Sequence, residues 1–514
     1  MMRSQIYSFL EVDPGSLRDK MKELVDAGAR FSTSVAVDER PINSCFSHTY
    51  ILFLKDRGYV LLTTKLSSEM PEHDTLTDIV PGVEWAEKEA MELVGIKIRG
   101  LPQKRKLILP ENWPEDLHPL RKDFDYRYRP VEKADLEAEG LPIGPYHPAL
   151  HEPESFRLYV RGEEIIDAEY VGFLVHRGVE KVAEGRLTYN QIPFIAERIC
   201  GICGFIHSTL YCNAVERAAG IDVPERAKWI RSFMLELERI HSHLLLVGVV
   251  CHMAGFDTGF MHAWRLRENF MRLAERISGN RKTYGMNLVG GVRRDIDNIA
   301  ALDFLKSSKK DIEEYVSMLM ENRLLIRRCE GIGVLGRQDA RKMCVVGPVA
   351  RASGIDIDVR RDSPYEAYGE LSFRVPVYME GDVLSRVMVR LEEIKESISI
   401  LEQIAGEMPK GPIMAETRDV PPLIRSIAAG EAPRGEDIHF VITGRDNKVY
   451  RWRVRSPTYN NLPALPLMLK GNLIADAPLI IGSIDPCFSC TDRCIVLKEG
   501  RRYRLEELVG RGRL

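Results

Sequence analysis

No stretch of this 514-residue sequence stays apolar for the roughly 18 residues that a membrane span needs. The run 244–251 is among the longest, so any membrane link is expected to come through partners. No G-x-x-x-x-G-K-[ST] motif is present, and the run Val289-Gly290-Gly291 reads as close packing rather than a phosphate cradle. Neither sign of charge dominates: the formal net charge is -3, which argues against a nucleic-acid partner. Basic runs such as Lys104-Arg105-Lys106 read as solvated faces or partner contacts. The start Met1-Met2-Arg3-Ser4-Gln5 lacks the apolar core of a signal peptide. The expectation is therefore reduced thiols in the cytoplasm.

Cysteine is scarce, with ten in the chain. Six of them, Cys45, Cys212, Cys251, Cys329, Cys344 and Cys494, are singletons without iron–sulfur spacing. Most are expected to be small core residues. A redox metal here would therefore have no cluster of its own through which to pass electrons.

The remaining four organise the chain. One pair lies in Arg198-Ile199-Cys200-Gly201-Ile202-Cys203 with His207 four residues on, the other in Asp485-Pro486-Cys487-Phe488-Ser489-Cys490. A C-x-x-C presents two thiolates to one ion from a single turn, and two such pairs can close a four-sulfur shell. A structural zinc site and a thioredoxin-like redox pair are the ordinary readings. Thiolate chemistry narrows the metal to zinc, nickel, copper or iron without choosing among them.

With 45% hydrophobic and 29% charged residues, the chain has ample material for a core. Residues 1–125 read as a small α+β unit. A helix is expected over 16–27, a strand over 30–37, a hairpin about Asp56-Arg57-Gly58 and a helix over 84–94. Prolines 130, 142, 145, 148 and 153 mark a linker over 126–153. Beyond it the periodicity predicts helices over 195–219, 224–251, 266–277, 300–329 and 382–407, with hairpins near 161–163 and 445–447. His241 and His243, two apart on a helix, read as structural.

R-x-C-G-x-C-x-x-x-H followed by D-P-C-x-x-C is the paired signature of NiFe hydrogenase large subunits, and the chain resembles that family. Its second motif continues Thr491-Asp492-Arg493 where most such subunits have a histidine. This is similar to the membrane-associated, energy-converting group related to respiratory complex I. The 84–124 region resembles the smaller hydrophilic subunit of complex I, and the run Gly144-Pro145-Tyr146-His147-Pro148-Ala149 resembles the opening of its quinone-site subunit. The fusion is most similar to the hydrogenase large subunits of formate hydrogenlyase complexes.

The resemblance implies an α+β fold, in which a small N-terminal α/β domain is joined to a large, mainly helical bundle with peripheral β-hairpins. The implied divisions are 1–125 for docking, 126–153 as linker, 154–493 as catalytic domain and 494–514 as a maturation peptide. The cleavage would fall between Arg493 and Cys494. Cys200, Cys203, Cys487 and Cys490 would hold nickel and an iron that carries cyanide and carbon monoxide. Cys203 and Cys490 would bridge the two metals, and Cys487 would exchange protons with Glu152. Arg434, in Ala432-Pro433-Arg434-Gly435, would lie over the open side of nickel. His207, Asp485 and Asp257 would surround the centre.

The partners implied are an iron–sulfur small subunit, antiporter-like membrane subunits, an electron-input iron–sulfur protein such as a formate dehydrogenase, a maturation protease and nickel-insertion factors. The complex would sit at the cytoplasmic face of the membrane. Two rivals are a metal-free quinone-site subunit of a complex I-like oxidoreductase and a zinc-stabilised scaffold. Carbon monoxide or ferredoxin could replace formate as donor.

Overall fold

A computed structural model of the chain describes residues 5–102, 106–110, 113–125, 141–144, 152, 154–172, 177–296, 298–416 and 419–491. The N-terminal part is a four-stranded sheet built from β1 (Tyr7–Val12), β2 (Arg30–Asp38), β3 (Cys45–Leu54) and β4 (Gly58–Ser67), in the order β1-β4-β3-β2. β1 runs parallel to β4, and the other pairs are antiparallel. Helix α1 (Leu17–Asp26) makes the crossover that a parallel pair requires. Leu17, Met21 and Leu24, at helical spacing, pack on Tyr50, Leu52 and Leu62 of the sheet. Helix α2 (Glu84–Val94) ends at Gly95 in the left-handed conformation.

β2 and β3 are buried on both faces, which a two-sided alternation would not predict. The reason is tertiary: Val35, Val37, Ile51 and Phe53 belong to the main core of the molecule. Buried polar contacts fix the same junction. Arg453 donates to Glu89 at 2.9 Å, Tyr59 donates to Glu436 at 3.0 Å, and Asn460 donates to the Ser32 carbonyl at 3.1 Å. Removing one partner of a buried ion pair costs about 3–5 kcal/mol, so this docking tolerates little change.

A second sheet pairs β5 (Leu141–Ile143), β6 (Ser155–Arg161) and β7 (Glu164–Val171) in sequence order. The helices that follow are α3 (Val179–Arg186), α4 (Ile192–Ala196), α5 (Gly204–Ala219), α6 (Glu225–Met253), α7 (Asp257–Ser278), α8 (Asn298–Glu321), α9 (Arg323–Cys329), α10 (Gly347–Ala352) and α11 (Val383–Glu407). α6 is buried nearly all round, as expected of a helix at the centre of a bundle. Its charged residues are paired: Arg231 with Glu216 at 2.6 Å, and Glu236 with Arg360 at 3.1 Å.

Two helices expected as single pieces are broken. The 195–219 stretch divides into α4 and α5, because the first cysteine pair needs an open turn between them. The 300–329 stretch restarts at Asn322, whose side chain accepts from the Leu325 N–H at 3.0 Å as an N-cap.

The third sheet, β8 (Arg425–Ala432), β9 (Gly435–Thr443) and β10 (Val449–Arg455), contains a strand the sequence pattern does not announce. Ala428-Ala429-Gly430 has poor strand propensity. It is a strand because α5 lies directly on it: a Cβ at Gly430 would press on Leu210 and Ile206. Past β10 the chain reaches the second cysteine pair through α12 (Pro457–Asn461), α13 (Leu465–Leu469), α14 (Ala477–Ser483) and the short α15 (Phe488–Thr491).

Candidate metal centre

Cys200, Gly201 and Ile202 form the open turn between α4 and α5, and Cys203 is the N-cap of α5. The backbone N–H groups of Ile202 and Cys203 both point at the Cys200 sulfur, at 3.2 and 3.0 Å. The Cys203 thiol lies 3.0 Å from the same sulfur. Tyr284 donates to the Cys200 carbonyl at 2.9 Å, and buried Glu238 accepts from the Phe205 and Ile206 N–H groups at 2.8 and 3.1 Å. Burial pushes the Glu238 carboxyl up to about 8.

The second turn begins at Asp485, a non-glycine residue held in the left-handed region at φ 59°. Arg434 keeps it there. Its Nε donates to the Asp485 carbonyl at 2.7 Å and its Nη2 to Asp485 Oδ1 at 2.7 Å, while its Nη1 donates to Ser242 Oγ at 3.3 Å. Pro433 and Arg434 are the two-residue turn that joins β8 to β9. Cys487 N–H donates to Thr458 Oγ1 at 3.2 Å, and the Cys490 N–H to the Cys487 carbonyl at 3.2 Å.

The two turns meet. Cys200 and Cys487, 287 positions apart, have sulfurs 3.4 Å apart, and Cys487 and Cys490 sulfurs are 2.8 Å apart. All four cysteines are buried. Sulfurs bonded at about 2.3 Å to one tetrahedral ion lie about 3.8 Å from each other, so these separations are within reach of a shared ion.

Burial opposes ionisation of Cys200, but hydrogen bonds from Cys203, Cys487 and Cys490 outweigh it and hold this thiol well below its usual range. Hydrogen bonding to Cys200 pushes Cys203 and Cys487 up, and burial raises Cys490. One thiolate thus suppresses its three neighbours, and four become thiolates together only around a cation.

His207 lies one turn along α5 from Cys203, on the same face, and its ligand atom is within 4.8 Å of the Cys203 and Cys490 sulfurs. Its Nδ1 is 2.9 Å from Asp437 and 3.2 Å from His439 Nε2. Burial lowers its basicity, yet the Asp437 carboxylate more than compensates and raises it. Its Nε2 is buried with no hydrogen-bond partner among the described residues. A soft four-sulfur donor set with an unused imidazole nitrogen beside it fits a thiolate-bound metal group.

Glu152 is drawn to the second turn: its Oε2 accepts from the Ser489 N–H at 2.8 Å, and its Oε1 accepts from the Ser489 hydroxyl. Asp257 corrects an expectation. It is not brought to this centre; its side chain is 73% exposed at the start of α7, 2.7 Å from His252. There, solvent and the positive end of the helix stabilise the carboxylate. His243 is buried against Glu393 at 2.8 Å, in keeping with a structural role. Arg493 and Cys494 lie outside the described residues.

The sequence reading missed Tyr284, Glu238 and Arg177, which hold the cysteine turns or the start of α5, and Asp437 and His439, which hold His207. None stands in a motif that would single it out: Asp437 and His439 share β9, and the other three come from separate parts of the chain. Glycine 347 was likewise unmarked. It has φ 65°, and a Cβ there would overlap the Arg434 carbonyl and Gly435. Gly347→Ala is expected to displace the Arg434 turn and destabilise the chain by about 3 kcal/mol or more, read as a lowered urea midpoint. An unchanged midpoint would show that the turn has slack.

Residues 254–428 and 420–493 match the family described as respiratory-chain NADH dehydrogenase, 49 Kd subunit. Residues 10–130 match the respiratory-chain NADH dehydrogenase, 30 Kd subunit. Residues 177–255, which include the first cysteine turn, match nickel-dependent hydrogenase. Scaffold and site therefore define a complex-I-related subunit with a nickel-dependent hydrogenase segment.

Formate hydrogenlyase subunit 5 of Escherichia coli (strain K12) is 43% identical over 93% of this chain and 90% of that protein. Hydrogenase-4 component G of the same organism is 44% identical over 90% of this chain and 84% of its own length. The chain belongs to the large subunits of the membrane-associated, complex-I-related NiFe hydrogenases, in the form fused to the 30 Kd-type domain. A subunit in the structure of the membrane-bound sulfane sulfur reductase, an archaeal respiratory membrane complex, superposes with a TM-score of 0.66 at 33% identity. That match covers 70% of this chain and all of the other. Among the described residues no helix is long and apolar enough to cross a membrane.

Proposed function

We propose that this chain is the catalytic subunit that interconverts protons and dihydrogen, and that Cys200, Cys203, Cys487 and Cys490 hold nickel and an iron carrying cyanide and carbon monoxide. The observation that carries this reading is the closure of two distant C-x-x-C turns into one buried four-sulfur cluster. When bound, the centre supplies the two-electron chemistry. By the family resemblance Cys203 and Cys490, the pair grouped with His207, would be the sulfurs held in common by the two metals, and Cys200 and Cys487 would be terminal. A terminal thiolate keeps lone pairs, so Cys487 takes or supplies the proton and Glu152, against the same turn, passes it on.

Arg434 contributes a permanent positive charge in a dry site. Burial opposes its charge, but the Asp485 carboxylate, and after it the cysteine sulfurs, hold the guanidinium firmly charged. His207 and Asp485 orient the two turns. The six other cysteines lack cluster spacing, so electrons pass through an iron–sulfur partner subunit. Likeness to formate hydrogenlyase subunit 5 favours formate as the distal electron source, through a formate dehydrogenase, over carbon monoxide or ferredoxin. Membrane subunits anchor the assembly at the cytoplasmic face. Residues 494–514 are a tail removed after Arg493 once nickel is in place, by a maturation protease that follows nickel-insertion factors. Residues 1–125 dock the assembly and 154–493 form the catalytic domain.

Elemental analysis of the purified complex tests the reading. Nickel and iron, each at about one per chain, are expected; zinc alone, or no metal, would overturn it. Glu152→Gln is expected to slow hydrogen–deuterium exchange by roughly 10²–10⁴-fold, the usual contribution of a positioned proton donor. The amide oxygen can still accept from the Ser489 N–H, so nickel content is expected to stay unchanged. Full exchange activity would remove the glutamate from the proton route.

A further inference from the structure

Arg177 stands just ahead of α3 and belongs to neither cysteine turn. Its guanidinium nevertheless joins the two. Nη1 donates to the Arg198 carbonyl at 2.5 Å; Nη2 donates to the Ile199 carbonyl at 2.6 Å and to the Ser489 carbonyl at 2.8 Å. Arg198 and Ile199 lead directly into Cys200, and Ser489 lies between Cys487 and Cys490.

Ser489 is held from the other side as well. Its N–H and its hydroxyl both go to the Glu152 carboxylate, so this one residue is gripped by a cation on its acceptor and an anion on its donors. Its neighbour Phe488 stacks on Tyr170, with ring centroids 6.2 Å apart and planes 15° apart, and meets Phe156 edge-on. The second turn thus rests in an aromatic slot of β6 and β7, and Arg177 ties it directly to the first turn.

We propose that Arg177 is a positioning residue that locks the second cysteine turn against the first and so keeps the four sulfurs in one coordination sphere. This rests on the reading that those sulfurs share a metal centre. The planar guanidinium has five N–H donors in a fixed fork, which suits three carbonyls from two backbone segments. A lysine ammonium keeps the charge but cannot reproduce the fork. Backbone carbonyls set the demand, so no cysteine spacing could have revealed it.

The test compares wild type, Arg177→Met and Arg177→Lys in the intact complex. The readouts are nickel per chain, amide hydrogen exchange of residues 485–491 and of α6, and the infrared stretching bands of the iron-bound diatomic ligands. Arg177→Met is expected to lose nickel several-fold and to speed exchange over 485–491 by roughly tenfold, the scale of one to two lost charge-assisted hydrogen bonds, while α6 stays unchanged. Whatever centre remains is expected to show shifted or broadened bands. Arg177→Lys is expected to fall between the two.

Unchanged exchange over 485–491 in Arg177→Met would overturn the lock, and so would an equal rise in α6, which marks general destabilisation. Wild-type behaviour in Arg177→Lys would overturn the need for the fork. Absence of nickel from wild type would remove the metal reading by itself, and the exchange data would still decide whether Arg177 ties the turns together.

Discussion

Cys487→Ser is expected to abolish hydrogen–deuterium exchange, a loss of at least about 10³-fold, with the fold retained. The substitution removes a soft sulfur ligand and the proposed proton acceptor together, and a serine hydroxyl is a poor substitute for both. The turn itself depends on other atoms. The residue-487 N–H still reaches Thr458, Phe488 keeps its place on Tyr170, and Ser489 keeps Glu152 and Arg177. Circular dichroism and assembly with partner subunits are therefore expected to match wild type. Exchange close to the wild-type rate would discard Cys487 as the acceptor. A chain that fails to fold would instead mean that the sulfur cluster is a structural staple.

The second large effect is expected from Arg434→Met. Arg434 is a buried cation whose three nitrogen donors all find partners, two of them on Asp485. Methionine has similar reach and no charge, so Asp485 would be left as a buried carboxylate without its counter-ion. Breaking one side of a buried pair costs about 3–5 kcal/mol, and here the cost falls on the residue that opens the second cysteine turn. We expect a clear drop in thermal midpoint, weaker nickel retention and exchange activity near background. Arg434→Lys keeps the charge but not the two-pronged grip on Asp485, so stability is expected to recover further than activity does. If Arg434→Met retained both midpoint and nickel, the pair with Asp485 would carry neither the turn nor the site.

Which residues were legible in advance follows from how each acts. The four cysteines and His207, four residues beyond Cys203, lie in local patterns that sequence displays, whereas Arg434 between Pro433 and Gly435 is marked only by the family resemblance. The helices at α1, α2, α6 and α11 were equally plain, because apolar periodicity and terminal glycine or proline are local signals. Asp257 was misplaced because an acidic residue after Gly255-Phe256 shows nothing of whether it faces a metal or the solvent; the structure turns it outward to His252. The strand β8 was invisible because its Ala-Ala-Gly core is defined by the helix above it rather than by its own propensity.

The amino-acid sequence alone determined the donor chemistry, four thiols in two turns with one imidazole at helical spacing, since covalent neighbours fix those relations. Only the tertiary structure decided that the turns share one buried cluster, that Asp485 is pinned by Arg434, and that Arg177 and Glu152 take Ser489 from opposite sides. The Arg177 and Glu152 contacts join residues more than 300 positions apart through the backbone carbonyl and amide of Ser489. Every residue type offers those groups alike, so only the folded chain can show which of them meet.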